Sequence, residues 1–282
     1  MRLFFLNFFC ITYANAFVVD GILDEEEWND AQQISDFTTI VPFNFEDPKY
    51  KTNVKIFTNQ DGIYVGFINE QDNESIRSFN HIRDDWDDRG DKNSFTIDFD
   101  GNSKVAYGFT VSLGDSLSDA TYTNGNDESK DWDGDWIAKT FRGDNFWSSE
   151  FFIPWTVVPM QKVDGSKRKV KFIAFRWLAS EEYGFGSTKT NWSRETFMYD
   201  LEELVVDNYE SKKYSYFPYL TFAEDSVTNE SIQKAGVDIF LNHGNGNQTN
   251  LAINPDFGQI ETDQVVINFS AIETFFSEKR AF

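Results

Sequence analysis

Two polar loops interleave tryptophan with acidic residues, and their side chains could recognise a ligand. One runs His81-Ile82-Arg83-Asp84-Asp85-Trp86-Asp87-Asp88-Arg89; the other runs from Asn126 through Asp131-Trp132-Asp133-Gly134-Asp135-Trp136. A flat indole stacks on the apolar C–H face of a pyranose, while neighbouring Asp, Arg and Asn hydrogen-bond the hydroxyls. On that chemistry Trp86, Trp132, Arg83, Asp85 and Asp133 are the candidate ligand-binding residues. The competing reading is packing, in which one Trp of each loop closes the end of the fold. For Trp136, which begins a strand, packing is the expectation; for Trp86 and Trp132 both readings stand.

The same acids invite a metal. Asp131, Asp133 and Asp135 recur at alternate positions like the start of a calcium loop. Trp136, however, stands where an EF-hand needs Gly, and no Glu closes the loop, so an EF-hand is excluded. What remains is a looser structural calcium on these three carboxylates, motivated by repulsion among adjacent acids. Catalytic signatures are scarce. His81 and His243 lie far apart and outside metal-ligand spacings, and there is no G-x-S-x-G elbow or Gly-rich phosphate loop. A glycosidase carboxylate pair cannot be singled out among 47 Asp and Glu residues.

The elements that must position these loops alternate with period two. Val54 and Ile56, then Ile63-Tyr64-Val65-Gly66-Phe67-Ile68, flank the hairpin turn Asn59-Gln60-Asp61-Gly62. Further strands are predicted at 94–99, 105–112, 135–142, 145–153 and 170–178, punctuated by Asp100-Gly101-Asn102 and Gly143-Asp144-Asn145. A short helix is predicted after Asp24, which would cap it, with Trp28 and Ala31 facing the core. The fold class is therefore all-β: an antiparallel β-sandwich of immunoglobulin or jelly-roll type. From about residue 200 the pattern changes. A linker is predicted over 201–234, and then Val237, Ile239 and Leu241, Leu251 and Ile253, and Val265, Ile267 and Phe269 alternate with polar residues over 235–282. Such strands suit either a soluble hairpin or the first strands of an outer-membrane β-barrel, of which a closed example needs about eight. On the barrel reading the sequence stops early in that domain.

Composition bounds the partners. The net charge is −22 and aromatics reach 17%, which excludes disorder and makes nucleic acid and anionic membrane surfaces poor partners. Residues 1–16 read as a secretory signal peptide: Arg2, a nearly continuous apolar run Leu3 to Tyr13, and Ala14-Asn15-Ala16 as cleavage site. Cleavage would remove Cys10, the one cysteine, and with it any disulfide or thiolate chemistry. The protein is then expected in the periplasm, at the outer membrane or outside the cell.

Val19-Asp20-Gly21-Ile22-Leu23-Asp24-Glu25-Glu26-Glu27-Trp28, Gly62-Ile63-Tyr64-Val65-Gly66-Phe67 and Asp131 to Trp136 together resemble family-9 carbohydrate-binding modules. Phe146 to Trp155 and Phe172-Ile173-Ala174-Phe175-Arg176 match the strands that follow in those modules, so the resemblance covers about 17–200. Ile253-Asn254-Pro255-Asp256-Phe257-Gly258-Gln259-Ile260-Glu261 and Glu273 to Arg280 resemble a family of Gram-negative surface proteins. There a family-9-like module precedes an uncharacterised domain that looks like an outer-membrane barrel. The resemblance implies non-catalytic binding of a polysaccharide or oligosaccharide, in the setting of carbohydrate catabolism and beside glycoside hydrolases. The aromatic clamp of the sugar-binding members corresponds loosely to Trp86 and Trp132. The alternatives are a periplasmic or extracellular plug for the barrel, which would bury both tryptophans, and, ranked last, a glycoside hydrolase.

Overall fold

The alternation seen in the sequence becomes sixteen strands in the computed structural model, which describes residues 17–84, 88–209, 212–225, 230–243 and 247–254. The expected signal peptide and the expected strand near Val265, Ile267 and Phe269 lie outside these residues. Two units are distinguished. One joins the chain up to Pro154 with Lys167–Asp207, and the other joins Trp155–Ser166 with the chain from Asn208 onward.

The first unit is the antiparallel β-sandwich. Its five-stranded sheet runs β1 (Gln32–Ile34), β3 (Thr52–Thr58), β4 (Gly62–Glu70), β10 (Phe146–Pro154) and β9 (Ile137–Arg142). The other sheet runs β2 (Thr38–Val41), β12 (Tyr183–Gly186), β11 (Lys167–Leu178), β5 (Lys92–Asp98), β6 (Val105–Ser112), β7 (Ser116–Thr123) and β8 (Asp127–Ser129), with β13 (Glu202–Asp207) also on β11. The β3–β4 hairpin turns where the sequence predicts it, with the Asn59 side chain accepting from the N–H groups of Asp61 and Gly62. Alternate residues face inward. Phe95, Phe109, Phe151 and Phe172 are at most 1% exposed, and burying each such ring contributes about 1.5–3 kcal/mol.

A polar seam crosses this core. Arg176 of β11 donates to the Thr52 hydroxyl at 2.9 Å, the Glu70 carbonyl at 2.9 Å and Gln71 Oε1 at 2.9 Å. Burial lowers its pKa to about 10, against the raising effect of Asp91. A buried carboxyl secures the N-terminal segment. Glu150 of β10 accepts from the N–H groups of Asp20 and Gly21 at 2.9 and 2.8 Å and from the Trp28 indole at 3.0 Å. Trp28 and Ala31 do face the core. The expected helix is a single 3-10 turn, Glu26–Asn29, and no side chain caps it, so Asp24 does not play the predicted part.

The predicted linker 201–234 is not one. It contains β13, all of β14 (Lys212–Asp225) and the start of β15 (Glu230–His243). In the second unit β14, β15 and β16 (Gln248–Ile253) form a separate three-stranded antiparallel sheet. Trp155 stacks on Tyr209 at 5.5 Å, and the Asn208 amide donates to the carbonyls of Val163 and Gly165.

Candidate functional site

The segment 130–136 carries the chain from β8 in one sheet to β9 in the other, and it brings its tryptophans to the side of the sandwich. Trp136 is 4% exposed; its ring meets Phe109 edge-on at 5.2 Å and lies parallel to Phe151 at 6.0 Å. Trp132 is half-buried and meets Tyr107 and Phe109 edge-on at 4.8 and 5.9 Å. Glycine is required between them, because a Cβ on Gly134 would sit 2.6 Å from the Trp132 ring. Trp136 thus packs as expected. Trp132 is partly committed to packing. Asp85 and Trp86 lie outside the described residues.

Beneath these rings is Asp119 of β7, a residue the sequence reading passed over. It is 1% exposed. Its Oδ2 accepts from the Trp136 indole at 2.7 Å, the Gly134 N–H at 3.2 Å and the Arg83 guanidinium. Burial nevertheless pushes its carboxyl above the ordinary value, and its Oδ1 has no hydrogen-bond partner among the described residues. Arg83 also donates from Nε to Asp133 at 3.1 Å and stands 3.6 Å from Asp84. Asp84, Asp119 and Asp133 place carboxylate oxygens within 4.8 Å of one another. Of the carboxylates expected to hold calcium, only Asp133 joins this cluster. Asp131 is exposed and accepts from the Ser129 hydroxyl, and Asp135 is exposed. The three gathered acids would suit a hard cation, but Arg83 already brings a positive charge to all of them. Arg83 and Asp133 therefore spend hydrogen-bonding capacity on each other.

The outer face of the eight-stranded sheet is different. With the odd-numbered residues of β5 turned to the core, alternation sends Ser94 and Thr96 outward. They share that face with Thr110 of β6, Ser118 of β7 and Phe175 and Trp177 of β11. Ser94 and Thr110 hydrogen-bond hydroxyl to hydroxyl at 2.6 Å. Two connections lie over the ends of this surface. On one side His81 contacts the Ser112 hydroxyl at 2.8 Å through Nε2 and donates its N–H to Ser116, while the Trp177 indole donates to the Asp88 carbonyl. On the other side Trp192, half-buried, packs at 4.2 Å from Phe197 and 5.7 Å from Phe175, and Asn126 donates to its carbonyl. Ser94, Thr96, Thr110, Ser118, Phe175 and Trp177 are each at most 9% exposed, so of the groups named on this face it is the partly exposed Trp192 ring that could cover a C–H surface.

Trp192 was legible in principle. Asn191-Trp192-Ser193-Arg194 is a tryptophan in a polar loop by the criterion applied to Trp86 and Trp132. The outward hydroxyls were hidden because alternating Ser and Thr normally mean only a solvated sheet face.

Comparison with known proteins gives two sets of matches. The model of a domain of unknown function, DUF5916, matches residues 212–282. Among solved structures, the chain is similar to a family-9 carbohydrate-binding module from Caldicellulosiruptor kristjanssonii in complex with glucose, at 12% identity. That match covers 67% of this chain and 90% of that one, with a TM-score of 0.45. A cellotriose complex of a family-9 module from the same organism matches at 13% identity, covering 67% and 88%, with a TM-score of 0.43. A putative carbohydrate-binding protein from Bacteroides uniformis matches at 11% identity, covering 64% and 88%, with a TM-score of 0.49. No curated protein matches the chain.

Proposed function

We propose that the sandwich is a non-catalytic saccharide-binding module, exported and acting in carbohydrate catabolism at the cell envelope, with the chain from residue 212 as its link to the outer membrane. The observation that carries the saccharide reading is the outer face of the eight-stranded sheet. There Trp192 stands partly exposed on an aromatic base of Phe175 and Phe197. A pyranose presents a matching apolar C–H face. The motif resemblance read from the sequence supports the same ligand class.

Affinity electrophoresis against xylan and soluble glucans, using the protein from Phe17 onward, tests this. Binding is expected, and Trp192→Ala is expected to weaken it by about 1–3 kcal/mol, in line with aromatic anchors elsewhere. Trp132→Ala serves as the contrast, with affinity nearly unchanged. Retardation by no glycan from a folded protein, or equal affinity in wild type and Trp192→Ala, would refute the site.

A further inference from the structure

The aromatic floor beneath Trp192 continues across the eight-stranded sheet to its edge strand, β2. Phe175, which meets Trp192 edge-on at 5.7 Å, spreads its ring over Gly184 of β12. A Cβ on Gly184 would lie 2.7 Å from that ring and 3.0 Å from Val41 Cβ, so the glycine is what lets the ring reach toward β2. Val41 and Phe45 pack against the same apolar cluster as Trp192. Phe45 in turn holds Phe43 edge-on at 4.5 Å, and Phe43 is 46% exposed.

The turn after β2 is built to keep Phe43 there. Phe45 has a φ of 58°, a left-handed backbone that is unfavourable for a bulky side chain and persists only where neighbours impose it. The Phe45 N–H donates to the Thr39 carbonyl and the Thr39 N–H to the Glu46 carbonyl, both at 2.9 Å, while the Asn44 side chain accepts from the Glu46 N–H. Lys189, three positions before Trp192 on the same connection, sets its ammonium 5.8 Å from the centre of the Phe45 ring. Packing alone does not call for this arrangement, because the outermost ring, Phe43, stays nearly half in water.

We infer that Phe43 and Lys189 form a second saccharide subsite on this face. One pyranose covers Trp192, and a later unit of the same chain lays its C–H face on Phe43 while Lys189 donates to its hydroxyl oxygens. A chain of sugars offers an apolar face at each unit, which matches two exposed rings joined by a largely buried apolar floor. The inference rests on the saccharide reading of Trp192 and adds to it a dependence on chain length.

Titration calorimetry on the protein from Phe17 onward, with β-1,4-linked glucose and xylose oligomers of increasing length, tests this. The wild type is expected to bind the longest oligomers about two- to tenfold more tightly than the monosaccharide. Phe43→Ala abolishes that gain and leaves monosaccharide affinity unchanged; the same loss is expected in Phe43→Leu, which keeps apolar bulk without the ring. Lys189→Met removes part of the gain. In variants that melt like the wild type, unchanged affinity at every length, or an equal loss at every length, would overturn the second subsite. Trp192→Ala separates the two readings. If it weakens binding at every length while Phe43→Ala changes none, the saccharide site stands and the subsite falls. If neither variant matters, or the wild type binds no oligomer, both fall.

Discussion

The crossing segment 130–136 and the outer face of the eight-stranded sheet contain the same kinds of residue and use them differently. In the first, tryptophan and acid satisfy one another: the Trp136 indole and Arg83 both serve Asp119, and Arg83 binds Asp133 as well. In the second, Trp192 rests partly exposed on Phe197 and Phe175, and the hydroxyls of the sheet face, Ser94 and Thr110, bond each other out of solvent. Tryptophan beside carboxylates is therefore no mark of a ligand site where the two satisfy each other. The crossing segment holds the sheets together. The outer face is left with chemistry to offer.

Breaking the first region should be costly in stability and silent in affinity. Asp119→Ala strands the buried Trp136 and Gly134 donors, and a lowered denaturation midpoint worth about 2–3 kcal/mol is expected, with glycan affinity kept. Normal stability with lost binding would exchange the roles of the two regions. A second buried carboxylate sharpens the point. Among its described partners Glu150 has N–H donors alone, and burial pushes its carboxyl from 4.5 up to about 7. Its folded-state pKa lies above the unfolded one, so its contribution is complete below about pH 4.5 and is lost as pH rises through 7. Melting temperature is thus expected to fall between pH 5 and pH 8 by the equivalent of about 1–2 kcal/mol. Glu150→Gln should flatten that slope, and an unchanged slope in the variant would sink the assignment. The smallest effect belongs to the outer face, where Thr110→Val removes the buried hydroxyl pair with Ser94 and is expected to lower the denaturation midpoint by about 0.5–1.5 kcal/mol with glycan affinity kept.

The sandwich strands were readable because alternation reports directly on burial, and β4 and β10 lie close to their predicted bounds. The three-stranded sheet was half readable. Val237, Ile239 and Leu241 alternate cleanly with polar residues, but Tyr214-Ser215-Tyr216-Phe217-Pro218-Tyr219 puts large rings at adjacent positions and adds a proline, which hides the period. The expected linker came from that masking. The acid cluster was not readable at all. Spacing suggested Asp131, Asp133 and Asp135, whereas tertiary structure joins Asp133 to Arg83, fifty positions away, and to Asp119, which looks like any other acid in a strand. Local spacing can nominate ligands on one stretch of chain; it cannot choose among partners that only the fold brings together.

The hold of Glu150 on the N-terminal segment also dictates an order of events in time. The Asp20 N–H and the carboxylate that receives it are 130 positions apart. As the chain is made from its N-terminus, the first residues of the sandwich wait for the last strand of the five-stranded sheet before they can dock. Closing so long a loop delays the reward for ordering that segment, and sheets dominated by such distant pairings fold in milliseconds to seconds. Residues 17–31 are thus the earliest part of the fold to be synthesised and among the last to be secured.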